Sequence, residues 1–79
     1  MDIPYETKET LNPNYALFEA DRWVTAIQDR AGDYEVAHSM EDSLHRAALK
    51  VIAAGYDEPR KLAKIVLKTR RIEFSRWYA

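Results

Sequence analysis

In the stretch AGDYEVAHSMEDSLHRAALKVIAAG, residues 31–55, two glycines bracket a long run that contains no helix breaker. Val36, Ala37, Met40, Leu44, Ala47, Ala48 and Val51 recur at three- and four-residue spacing, which is the apolar stripe of an amphipathic helix. Asp33 stands where an N-cap belongs, and Gly55 where a helix stops. Ser39-x-x-Asp42 reads as a later capping box, but the helical period already holds at Val36, so the pattern predicts a helix over 34–54. Tyr34, His38, His45, Leu49 and Ile52 lie on its other side, leaving Ser39, Ser43, Arg46 and Lys50 as a narrow polar edge. A helix apolar on two sides is expected in the middle of its domain.

The flanking segments read as two more helices. Asn12 as cap and Pro13 in the first turn open a helix over 13–31, with Leu17, Ala20, Val24, Ile27 and Ala31 in one stripe, Phe18 and Trp23 widening or flanking it, and Gly32 ending it. Asp57 caps a third helix over 58–77, with Glu58 and Pro59 in its first turn. Its inner face is Leu62, Ile65, Val66, Thr69, Ile72 and Trp77. Residues 1–12 read as an extended arm that Ile3, Tyr5 and Leu11 could pack against the rest. Short connections favour antiparallel neighbours. The expectation is an all-α three-helix bundle, a single helical domain over 13–79 preceded by the arm.

Composition narrows the function classes. The chain has 79 residues, 47% hydrophobic and 32% charged, with two glycines, three prolines and no cysteine. The missing cysteine excludes disulfide frameworks, thiol catalysis and cysteine metal sites. The charged N-terminal stretch is not a secretory signal, and no apolar run is long enough to cross a membrane. A cytoplasmic location is expected. A domain this small buries only ~60–65% of the surface its unfolded chain exposes, so a homodimer is expected to gain stability. Net charge is −1, but residues 1–58 carry a balance of −7 and residues 59–79 a balance of +6.

Four patterns point toward chemistry. His38, Glu41, Asp42 and His45 place two imidazoles and two carboxylates on adjacent helical faces, groups suited to a metal ion or to acid–base work. The spacing speaks against a single ion, because the histidines are seven residues apart, ~10 Å along a helix axis. A metal would need further ligands, such as Glu19 or Asp21, or a second chain. The milder reading is two His–carboxylate braces. Lys61, Lys64, Lys68 and Arg71 recur at three, four and three residues, a basic stripe that suits a phosphate backbone, with Arg60, Arg70 and Arg76 nearby. Arg76, Trp77 and Tyr78 form an aromatic–arginine cluster of the kind that anchors protein interfaces. No glycine-rich phosphate loop is present, and no cofactor is implied.

Two resemblances attach to these residues. Asp42-Ser43-Leu44 resembles the attachment site of acyl carrier proteins, although the His45, Arg46 and Lys50 that follow depart from the acidic helix of that family. The run Ala37-His38-x-x-Glu41-Asp42-x-Leu44, with Ile52-Ala53-x-Gly55, Leu62-Ala63 and Phe74-x-Arg76-Trp77, resembles short uncharacterised open reading frames of bacteria and their phages. That resemblance implies a small accessory or mobile-element protein and carries no activity with it. The leading expectation is a non-enzymatic helical module that contacts a protein partner or itself through Arg76, Trp77 and Tyr78, together with His38 and His45. The alternatives are a nucleic-acid-associated protein using Lys61, Lys64, Lys68 and Arg71, and a metal-binding or enzyme-accessory subunit using His38, Glu41, Asp42 and His45.

Overall fold

The computed structural model describes residues 9–74, which form α1 (Ala16–Asp29), α2 (Tyr34–Ala53), α3 (Pro59–Val66) and a 3-10 helix, Leu67–Arg71. No strand occurs among the described residues. The all-α three-helix reading holds. Each helix touches both of the others, so α2 is one side of a triangle and not a sandwiched centre.

Asp33 caps α2 as expected, its Oδ1 accepting from the backbone N–H of Val36 at 3.3 Å. At the other end Gly55 adopts φ +100°. Its N–H donates to the Ile52 carbonyl at 2.9 Å, and the N–H of Tyr56 donates to the Val51 carbonyl at 3.1 Å. This pair of bonds is a Schellman closure, which satisfies two otherwise orphaned carbonyls and needs a left-handed residue.

α1 starts three residues later than the sequence pattern suggests. Asn12 draws the chain into a turn first: its Oδ1 accepts from Asn14 N–H at 2.9 Å, and its carbonyl accepts from Tyr15 N–H at 2.9 Å. Pro13 suits the second position of such a turn. The last turn of α1 tightens, with Arg30 N–H shared between the carbonyls of Ala26 and Ile27 at 3.2 and 3.0 Å. Gly32 keeps an ordinary negative φ, so the helix ends by this tightening and not by a left-handed glycine. Trp23 is buried and widens the apolar stripe, whereas Phe18 is exposed.

The third helix departs most from expectation. Its cap residue is Glu58, not Asp57, with Pro59 at the first position. The α-helix ends at Val66, and after the 3-10 segment Ile72 is extended at φ −78°, ψ 128°. Ile72 and Phe74 both pack on the core. Two residues apart is the spacing of an extended chain, and a helix would put them on different sides. The expected helix over 67–77 is therefore corrected as far as residue 74.

The core joins Ala16, Ala20, Trp23, Val24 and Ile27 of α1, Ala37, Met40, Leu44, Ala47, Ala48 and Val51 of α2, and Leu62 and Val66 of α3. Leu11 seals it from the arm, as expected, whereas Ile3 and Tyr5 lie outside the described residues. No described helix is long and apolar enough to cross a membrane.

Replacing Gly55 by alanine should destabilise the fold by about 1–2 kcal/mol, because a Cβ is disfavoured at positive φ. The same change at Gly32, which meets nothing within 4 Å and has ordinary φ, should cost nothing or stabilise slightly. Urea unfolding of the two variants checks the contrast.

Candidate functional site

The His–carboxylate helix is where chemistry is expected, and its four polar groups split between one pair on α2 and two contacts to the 3-10 segment. His38 Nε2 stands 3.6 Å from Asp42 Oδ2, one helical turn on. His45 Nε2 is hydrogen-bonded at 3.1 Å to Oγ1 of Thr69, across to the 3-10 segment. Glu41 is 2% exposed, and its Oε1 lies 3.8 Å from Nη1 of Arg70. Among the described residues no three histidine, aspartate or glutamate side chains gather closely enough to hold a metal ion. The metal alternative built on His38, Glu41, Asp42 and His45 is corrected accordingly: Glu41 and His45 reach across to the 3-10 segment, while His38 and Asp42 face each other on α2. His45 is half-buried, with Nε2 engaged by Thr69.

Ser43 was placed on the polar edge of α2 but is 5% exposed. It sits in mid-helix with its side chain covered, so it cannot serve as the carrier attachment site that Asp42-Ser43-Leu44 resembles. The second face of α2 is partly covered: His38, His45 and Ile52 are half-buried, whereas Tyr34 and Leu49 are exposed.

Arg46 and Lys50, on the outer side of α2, hold the arm. Both of Arg46's nitrogens Nε and Nη2 donate to Glu9 Oε2, and Lys50 Nζ lies 3.5 Å from Glu9 Oε1. The hydrogen bonds from Arg46 pull the Glu9 carboxyl below its ordinary value. Beside this clamp is a cleft of about 330 Å³ between Leu11 and Pro13 of the arm and Ala47, Val51, Gly55 and Tyr56 at the end of α2. Burial, then the nearby Glu58 and Asp57, push the Tyr56 phenol up, so it stays protonated near neutral pH and offers no base.

The basic stripe of the third helix is only partly realised. Lys61 bonds Glu58 at 2.8 Å, and Lys68 lies 3.5 Å from Asp21 of α1. Lys64 and Arg71 are exposed. Because the α-helix stops at Val66, Lys68 and Arg71 belong to the 3-10 segment and do not continue the α-helical stripe of Lys61 and Lys64. Arg76, Trp77 and Tyr78, the expected anchor for a partner, lie outside the described residues.

Sequence reading overlooked the outward face of α1. Tyr15 and Phe18 are each 61% exposed, and the Arg22 guanidinium stands 5.5 Å above the Phe18 ring. Tyr15, Phe18, Arg22, Thr25 and Asp29 follow one another at three, four, three and four residues, the spacing of a seam between paired helices. The signal was present in that spacing, but the parallel stripe through Leu17, Ala20, Val24 and Ile27 is more apolar and drew the reading.

Compared with protein-family models, with curated proteins and with solved structures, the chain gives no match.

Two outcomes follow from these contacts. The Glu9 carboxyl is lowered on folding, so its clamp adds stability above its ordinary value of 4.5, and that contribution is lost as pH falls through the folded value. The thermal midpoint of the native chain should exceed that of Glu9→Gln at pH 7 and converge with it in acid. Thr69→Val keeps the shape of the side chain but leaves His45 Nε2 without this bond, and should cost about 1 kcal/mol in urea unfolding.

Proposed function

We propose that the protein is a non-enzymatic helical interaction module, and that its docking surface is the outward seam of α1, taken by a second copy of the chain. The observation that carries this reading is the pair of exposed aromatics, Tyr15 and Phe18, with Arg22 laid over the Phe18 ring. Aromatic and arginine side chains dominate the energetics of protein interfaces. A ring already braced by a guanidinium loses less freedom on docking than a mobile one.

Charge favours self-pairing in one register. An antiparallel two-fold contact with its axis between Thr25 and Ala26 sets Arg22 of each copy against Asp29 of the other, forming two ion pairs by symmetry. A contact centred on Arg22 would oppose like charges and is disfavoured. Self-association also relieves the small core of a domain this size. His38, Asp42 and His45 take no part in this surface.

Sedimentation over a concentration series is the test. A reversible dimer is expected, with Phe18→Asp or Arg22→Asp shifting it to monomer by at least tenfold in dissociation constant. Combining Arg22→Asp with Asp29→Arg should restore it. A chain that stays monomeric at about millimolar concentration would sink the reading, as would a dimer indifferent to Phe18→Asp.

A further inference from the structure

α3 and the 3-10 segment together carry Arg60, Lys61, Lys64, Lys68, Arg70 and Arg71 between residues 59 and 71, with no carboxylate in that span. All six are exposed, because Leu62, Val66 and Thr69 take the buried side. The six are not equivalent. Lys61 is bonded to Glu58, Lys68 lies against Asp21, and Arg70 lies against Glu41. Arg60, Lys64 and Arg71 have no ion pair among the described residues. We infer that this face binds the phosphate backbone of nucleic acid through Arg60, Lys64 and Arg71. The inference does not rest on the α1 seam, which is a different surface.

Three observations select a polyphosphate over other anionic partners. The span 59–71 holds six cations and no carboxylate, which suits the regularly spaced charge of a polyphosphate, and the run from Arg60 to Arg71 spans ~20 Å, which covers several phosphates. A membrane surface would need an apolar face to insert, but the apolar face of α3 is buried in the core and only Leu67 is left outside it. A protein partner would favour aromatic residues in the centre of the patch and few lysines, and this patch has the opposite make-up. The contacts are to phosphates, so the binding carries no sequence preference.

The charge count gives the strength and the salt dependence. Three phosphate contacts predict a slope of log K against log salt of about −2.7 for duplex and about −2.1 for single strands. Duplex affinity should therefore fall roughly forty-fold between 50 and 200 mM salt.

The experiment uses the full chain, with fluorescence anisotropy on a labelled 25-nucleotide strand and on the corresponding duplex. Vesicles of phosphatidylcholine with and without phosphatidylserine form a further arm. Binding at 50 mM salt is expected with these slopes. Lys64→Gln with Arg71→Gln should weaken it more than tenfold and reduce the slope by about two. Lys61→Gln with Lys68→Gln should weaken it less, since those cations already face carboxylates. Unchanged urea midpoints show that the variants fold, and Phe18→Asp should leave the slope in place. Absence of binding at 20 mM salt overturns the inference. So does a slope unaffected by Lys64→Gln with Arg71→Gln, or equal or tighter binding to the phosphatidylserine vesicles.

Discussion

Glu41 falls within the arc of α2 that faces the core, and a carboxylate taken from water must be met by charge or hydrogen bonds. Arg70 approaches it at 3.8 Å, and one turn along α2 His45 meets Thr69, which is 0% exposed. Both partners belong to the 3-10 segment. An α-helix continued past Val66 would rise ~1.5 Å per residue, whereas the 3-10 form rises ~2.0 Å with 3.0 residues per turn. The 3-10 segment carries Thr69 inward and Arg70 toward α2 from consecutive positions, and Lys68 ties the same segment to Asp21 of α1. The chain then leaves along an extended path at Ile72.

That dependence explains which parts of the fold could be read in advance. α2 was legible because its determinants are local: a capping aspartate, an uninterrupted period and a glycine at the left-handed position. The long third helix was misjudged because its terminator is not local. Lys68-Thr69-Arg70-Arg71 has no breaker, and its partners, Glu41 and His45 on α2 and Asp21 on α1, are distant in sequence. Ile72 and Phe74, two apart, were the one local sign of an extended chain. Asn12 misled in a different way. Its side chain competes for the backbone as an Asx turn, and that use delays the helix it was expected to cap.

The candidate site was legible in its residues but not in its roles. His38, Glu41, Asp42 and His45 form a cluster on a helical wheel, yet Glu41 and His45 face neighbours in the fold while Asp42 stays near the surface. A wheel gives directions and not distances to other elements. The exposed seam of α1 was hidden by the opposite bias. Phe18 and Trp23 are both large aromatics near a stripe, and only packing decides that Trp23 goes in. Its Nε1 finds no hydrogen-bond partner among the described residues, an omission worth about 1–3 kcal/mol. The area buried by the indole is large enough to offset that cost.

The distribution of ion pairs separates what the fold needs from what it leaves over. Glu9, Glu58, Asp21 and Glu41 each take a cation: Arg46 with Lys50, Lys61, Lys68 and Arg70 respectively. The exposed pairs among these add little to stability. Arg60 and Lys64, one turn apart on α3, are like charges at a spacing that destabilises a helix by a few tenths of a kcal/mol. α3 has eight residues, fewer than an isolated helix needs to persist in water, so it is held by Leu62 and Val66 and not by its own charges. A basic residue in its last turn suits the helix dipole, which accounts for Lys64 but not for Arg60, at the opposite end. Folding therefore gains little from placing both cations on that face, and an anion lying across them relieves their repulsion.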